Sequence, residues 1–190
     1  MAKQVEFFFD YGSPFSYLAD TQLPALHQRT GAEIIYKPML LGGVFKATGN
    51  SSPITIPAKG KYMSSDLAIW TRHYGVPMKM NPFFPINTIR IMRGAIAAQI
   101  AGCFPAYHTM MFRAMWAEGF NLGDPNVVKP MFAKVGLEPD SVERDEVKEK
   151  LRANTDEAVA RGAFGAPTFF VGDAMFWGND RMHFVEEALK

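Results

Sequence analysis

Ser13-Pro14-Phe15-Ser16 sets two hydroxyls three residues apart, where the apolar run Val5-Glu6-Phe7-Phe8-Phe9-Asp10 gives way to a helical pattern. A helix start presents free N–H groups and the positive end of the backbone dipole, and both stabilise an anion. A hydroxyl beside them can donate a hydrogen bond to a thiolate, which lowers the thiol pKa and holds the nucleophile ready. The same Ser-Pro pair is also a good helix cap with proline at the first helical position, and one side chain can do either job. A serine nucleophile is disfavoured, because no Gly-x-Ser-x-Gly elbow surrounds Ser13 and no histidine partner is indicated.

Far downstream, Gly165-Ala166-Pro167-Thr168-Phe169-Phe170-Val171 reads as a turn whose proline enters a strand. The Ala166-Pro167 bond is a candidate cis peptide, against the alternative of an ordinary trans proline at a strand start. A cis bond here would leave the N–H and C=O of Ala166 free to pair with a bound peptide, like an added strand. Trp177-Gly178-Asn179-Asp180-Arg181 closes a hairpin and starts the last helix. Gly178, Asn179 and Asp180 form either a simple cap or a site that holds a carboxylate at the helix start while Asp180 takes an ammonium. Gly49-Asn50 and Pro57-Ala58-Lys59-Gly60-Lys61-Tyr62 offer an amide and two cations. Lys59 is a candidate partner for a carboxylate, and Lys46 a weaker one; both also read as ordinary solvated lysines.

Other residues carry less. Cys103, in Ala101-Gly102-Cys103-Phe104-Pro105, reads as a buried, inert thiol. The histidines at 27, 73, 108 and 183 are scattered, and no paired Cys/His spacing exists, so no metal is expected. The run from Glu143 to Lys150 reads as a solvated helix face.

These residues need elements to place them. Strands are expected at residues 4–9, 33–38, 168–171 and 174–177, from short apolar runs bounded by turn residues. Helices are expected over 14–29, kinked at Pro24, and over 60–74, 86–101, 105–117, 125–135, 141–161 and 181–189. Residues 42–58, rich in Gly, Ser and Pro, read as a long irregular loop. The first two strands and their helix make a parallel βαβ unit. The order β-α-β, helical block, β-β-α is α/β and thioredoxin-like: 1–40 plus 162–190 form a discontinuous domain, and 41–161 an inserted helical one. In that skeleton Ser13 and Ser16 stand where Cys-x-x-Cys would. Neither can exchange disulfides, so any sulfur chemistry must borrow its thiol from a bound partner, for which glutathione is the obvious candidate.

The bulk composition agrees. With 190 residues and 48% hydrophobic residues the chain supports one sizeable core. A net charge of +1 argues against a partner bound by charge, such as nucleic acid or an anionic membrane. No apolar stretch approaches the roughly 20 residues of a membrane helix, and the first residues show no signal-peptide pattern. A single cysteine excludes an intrachain disulfide and suggests a reducing, cytoplasmic setting. Twelve Met and sixteen Phe suggest an adaptable, aromatic-rich core or pocket.

Read together, Phe9 through Ala19, Gly49-Asn50, Lys59 through Tyr62, Phe164 through Thr168, and Trp177 through Arg181 resemble the 2-hydroxychromene-2-carboxylate isomerases. These sit beside the kappa-class glutathione transferases in the DsbA-like branch of the thioredoxin fold. The resemblance spans essentially the whole chain, in order. It implies a catalytic Ser13 hydrogen-bonded to the sulfur of glutathione. Asn50 and Lys59 would contact ligand from the loop and the first inserted helix. Ala166, ahead of a cis Pro167, would pair with the glutathione backbone, and Gly178, Asn179 and Asp180 would hold its γ-glutamyl end. An aromatic substrate would lie near Phe83-Phe84 and Trp116, with Lys46, Asn50 and Phe84 as contacts. The implied reaction converts 2-hydroxychromene-2-carboxylate to trans-o-hydroxybenzylidenepyruvate by transient thiolate addition, in naphthalene-type catabolism. The implied assembly is a homodimer. A kappa-type transferase or peroxidase, or a non-catalytic glutathione-binding relative, is the competing reading.

Overall fold

The computed structural model describes residues 3–190. Its elements run β1 (Gln4–Phe9), α1 (Pro14–Asp20), α2 (Leu23–Thr30), β2 (Glu33–Pro38), α3 (Leu41–Thr48), α4 (Pro57–Tyr74), α5 (Ile89–Ala101), α6 (Phe104–Arg113), α7 (Pro125–Lys134), α8 (Asp145–Ala160), β3 (Thr168–Val171), β4 (Ala174–Trp177) and α9 (Met182–Ala188). The strands form one sheet in the order β2-β1-β3-β4. β1 and β2 are parallel, with Phe7 opposite Tyr36. β3 runs antiparallel to β1, with Phe7 opposite Phe169, and β4 runs antiparallel to β3.

The strands arise from aromatic residues that a pleated backbone sends to alternate faces. Phe7 and Phe9 point to the larger core, which takes in α1, α2, α5, α6 and α7. Phe8 points to the opposite face with Met39, Val44, Ala158 and Phe170. Phe7 stacks on Phe169 across the ladder, with ring centroids 5.1 Å apart. Over the smaller face, the Arg161 guanidinium lies 3.8 Å from the Phe170 ring centroid, so cation and ring hold each other.

Two expectations are corrected. Residues 42–58 are not an irregular loop. They form α3, a 3₁₀ turn at Pro53–Thr55 and the first turn of α4. Glycine weakens a helix in isolation, but here tertiary packing overrides propensity. A Cβ on Gly43 would meet Thr155 Cγ2 of α8 at 3.2 Å, so the missing side chain lets two helices approach closely. Residues 14–29 form two helices rather than one kinked helix. The break falls at Thr21–Gln22, because Pro24 occupies the first turn of a new helix, where its absent N–H costs nothing.

Two segments differ in detail. The stretch after α6 winds as a wider π turn at Ala114–Glu118. Residues 139–143 form a 3₁₀ turn ahead of α8. Among the described residues, no helix is long and apolar enough to cross a membrane.

Candidate functional site

The polypeptide leaves β1 at Phe9 and must turn sharply into α1. Asp10 makes that turn. Its buried carboxylate accepts hydrogen bonds from Gly12 N at 2.8 Å, Leu41 N at 2.8 Å and Thr88 Oγ1 at 3.1 Å. One side chain thus ties the β1–α1 turn to the starts of α3 and α5. Burial pushes the Asp10 carboxyl above its usual range, although these three donors pull it down. Gly12 leaves no room for a side chain, since a Cβ there would sit 2.9 Å from Thr88 Cγ2.

Ser13 follows, buried at 4% exposure. It does both jobs that its type and place allow. Its Oγ accepts from Ser16 N at 3.1 Å, which caps α1, with Pro14 at the first helical position. Its hydroxyl proton goes elsewhere, to Ala166 O at 3.1 Å.

That second bond joins the two sequence-distant motifs. The Ala166–Pro167 peptide is cis. The carbonyls of this turn are all occupied, each from a different element. Phe164 O accepts from Asn50 Nδ2 at 2.8 Å, Gly165 O from Thr168 Oγ1 at 2.8 Å, and Pro167 O from Gly178 N at 3.0 Å. The expectation that both polar groups of Ala166 stand free is therefore corrected. Its N–H has no partner among the described residues, while its C=O holds the Ser13 proton. Gly165 is required by close approach, because a Cβ would meet Trp177 Nε1 at 2.6 Å.

Gly178 carries a φ of +105°, a conformation that favours glycine. It swings the chain from β4 into a 3₁₀ turn at Asn179–Arg181, which packs against α1. Asn179 is buried, and Tyr74 O–H of α4 donates to its carbonyl at 3.0 Å. Its Nδ2 has no partner. Ser16 Oγ is the other buried side-chain atom without one among the described residues. Buried donors are rarely left unpaired, and these two lie on the elements that flank Ser13. Asp180 bonds to Arg181 at 3.1 Å. Asp66 on α4 faces the same negative charge: burial, then the charge of Asp180, raise its carboxyl above the usual range.

The remaining candidates are placed less tightly. Asn50 is pinned by its bond to Phe164 O. Lys46 in the last turn of α3 and Lys59 in the first turn of α4 are exposed, and no ion pair holds either among the described residues. Lys59 and Lys61 stand against the positive end of a helix whose first turn has no acid, a position that favours a bound anion. No hydrogen bond or ion pair links Lys46 or Lys59 to Ser13, Ala166 or Asn179 among the described residues. Phe83 is half-exposed, and Phe84 packs on Trp116 with ring centroids 5.6 Å apart. Trp116 itself is fully buried, so it supports the site from beneath: its indole N–H donates to Tyr11 O at 2.8 Å. Cys103 is free and partly exposed rather than buried, because it caps α6 at the rim of the core.

Sequence reasoning missed Asp10, Asp66, Tyr74 and the buried chain Tyr11–His108–Asp20. His108 Nδ1 lies 3.0 Å from Tyr11 Oη, and its Nε2 lies 2.8 Å from Asp20 Oδ1. His108 thus bridges the Tyr11 hydroxyl and the Asp20 carboxylate through its two ring nitrogens. No sequence spacing announces these contacts, which span 88 and 97 residues. No cluster of potential metal ligands occurs among the described residues.

The comparisons with known proteins agree on the fold family. A profile of the DSBA-like thioredoxin domain matches residues 4–190. A 2-hydroxychromene-2-carboxylate isomerase of Sphingobium xenophagum is 35% identical, covering 100% of this chain and 99% of the relative. A solved structure of a 2-hydroxychromene-2-carboxylate isomerase superimposes with a TM-score of 0.87 at 32% identity, over 98% of this chain and 94% of the other. A glutathione S-transferase kappa 2 of Caenorhabditis elegans is 30% identical over 98% of this chain and 92% of the relative.

Proposed function

The chain belongs to the DsbA-like thioredoxin family, together with 2-hydroxychromene-2-carboxylate isomerases, and from that premise we propose that it is a glutathione-dependent isomerase. Its reaction would convert 2-hydroxychromene-2-carboxylate to trans-o-hydroxybenzylidenepyruvate within aromatic-hydrocarbon catabolism of the naphthalene type. The observation that carries the reading is Ser13. It sits at the N-terminus of α1 against the Ala166–Pro167 turn, in a chain whose single cysteine, Cys103, lies between α5 and α6. A thiol site without a protein thiol calls for a borrowed one.

The residues present fit glutathione. The unpaired Ala166 N–H and the orphaned Asn179 Nδ2 and Ser16 Oγ are polar groups that await a polar partner. Ser13 would donate a hydrogen bond to a thiolate at the positive end of α1. Ala166 would pair with the tripeptide backbone. Asn179 and Asp180, with Asp66 beside them, would hold the amino-acid end, and Gly178 would let that turn form. Asn50 and Lys59 would meet a ligand carboxylate, while Lys46 and Phe84 would meet the aromatic acid. When bound, glutathione supplies a nucleophile whose reversible addition turns a rigid double bond into a single one, so that it can rotate. The protein's part is to orient the reactants and stabilise the anion. A discontinuous thioredoxin-like domain (1–40 plus 162–190) with a helical insertion (41–161), a homodimeric assembly and a cytoplasmic setting complete this reading.

The test is a mass balance with substoichiometric glutathione. A product of unchanged mass, with the thiol recovered, is expected. Loss of glutathione to a conjugate would instead favour the transferase reading, which the 30% identity to a kappa-class relative keeps in play.

A further inference from the structure

Ser13 has one proton, and in this structure the proton rests on Ala166 O. It cannot serve Ala166 and a thiolate at once. We propose that the Ser13–Ala166 hydrogen bond is a latch that makes thiol activation conditional on a peptide bond in the ligand. Only a thiol whose own amide N–H replaces Ser13 on Ala166 O frees the Ser13 O–H to donate a hydrogen bond to the sulfur, whose own proton leaves to solvent. The inference rests on the glutathione reading above and names the feature of glutathione that the site selects.

Three observations support the latch. First, the turn keeps its place without Ser13, because Phe164 O, Gly165 O and Pro167 O are held by Asn50, Thr168 and Gly178. The carbonyl aimed at Ser13 is therefore fixed whether or not Ser13 engages it. Second, the cap of α1 uses an oxygen lone pair, through Ser16 N, and not the proton. The hydroxyl can rotate from Ala166 to a sulfur with the helix start intact. Third, Ala166 offers an unpaired N–H beside the occupied C=O, so an extended peptide can bridge both atoms, as in strand addition. A simple thiol has no donor to leave on Ala166 O, so moving Ser13 would strand a partly buried carbonyl. Ser13 then stays latched, and the thiol gains little acidity. Selection for a peptide thiol thus follows from one shared proton.

The experiment is a two-by-two comparison. The ligands are glutathione and its ester analogue, in which oxygen replaces the cysteine N–H without added bulk. The proteins are the intact chain and Ser13→Ala. Calorimetry across pH 6 to 10 reads affinity and the pKa of the bound thiol, independently of turnover. With the intact chain, glutathione is expected to bind with its thiol pKa lowered by about 1 to 2 units. The ester analogue should bind at least tenfold more weakly, with its pKa nearly unshifted. In Ser13→Ala both ligands should show the unshifted pKa, because either loss alone abolishes the effect. If the ester analogue binds weakly but keeps a fully lowered pKa, Ala166 O accepts from both partners independently and the latch is overturned. If neither ligand binds the intact chain, the glutathione reading fails, and this inference fails with it. Thermal melting of Ser13→Ala confirms that the variant is folded.

Discussion

On one side of the candidate site, every backbone carbonyl from Phe164 to Pro167 has a donor, and Ser13 and Asn179 are buried. Lys46 on α3 and Lys59 on α4, by contrast, stand exposed, with no ion pair among the described residues. The difference separates two tasks. A hydroxyl that stabilises a thiolate needs its oxygen held in place before the ligand arrives, so that only the O–H has to turn towards the sulfur. A cation that attracts a carboxylate can act through solvent at modest cost and range. The fixed turn around Ser13 should govern turnover, and the exposed lysines should govern affinity.

Ser13→Ala should break the comparison most severely. Turnover is expected to fall by about 10² to 10³, as for loss of one aimed donor, while loss of the cap costs about 1 kcal/mol of stability. Steady-state kinetics beside a denaturant melt would show both. Unchanged turnover at saturating glutathione would remove Ser13 from the mechanism.

Asp10→Ala comes next. It strips an acceptor from Gly12 N, Leu41 N and Thr88 Oγ1 at once. A loss of about 2 to 4 kcal/mol is expected from urea unfolding. A milder loss would mean that water replaces the carboxylate and that the turn is less rigid than the hydrogen bonds imply.

Gly165→Ala tests rigidity without removing a polar group. The new methyl must displace either the Trp177 indole or the turn. Turnover should fall about tenfold for roughly 1 to 2 kcal/mol of stability. Lys59→Ala should sharpen the other half of the contrast. The KM for glutathione is expected to rise about threefold to fivefold, an effect that shrinks in high salt, with kcat and melting temperature little changed.

The smallest effect is in pH. Burial raises the folded pKa of Asp10 above 3.8, so the folded state holds that proton more tightly than the unfolded state does. Ionising Asp10 therefore costs stability relative to its protonated form; the cost is fully present above its folded pKa and fades as pH falls towards 3.8. Relative to Asp10→Asn, the intact chain should gain stability on acidification from neutral pH. Equal urea midpoint shifts in the two proteins would contradict that sign.

The same contrast explains what the sequence revealed. All four strands are legible, because Phe7-Phe8-Phe9, Ile34-Ile35-Tyr36, Phe169-Phe170 and Met175-Phe176-Trp177 are short apolar runs bounded by turn residues. The Ser13 cap and the Ala166–Pro167 turn are legible because caps and x-Pro turns leave local signatures, whereas Asn179, expected as a cap, makes no capping hydrogen bond. The helix at Leu41–Thr48 is not, since its glycines speak for a loop until the close contact of Gly43 with Thr155 is known. Nor is Asp10, whose partners at Leu41 and Thr88 lie 31 and 78 residues away. Local patterns announce local structure, and the tertiary contacts that aim Ser13 leave no such trace.

The most direct test of the central claim, that Ser13 stabilises the thiolate of a thiol this chain does not own, is thiolate absorbance near 240 nm during titration of glutathione with protein at pH 7. The account predicts a saturable rise in thiolate with the intact chain and none with Ser13→Ala, at matched occupancy. An equal rise in both proteins, or glutathione bound wholly as the neutral thiol, would contradict it.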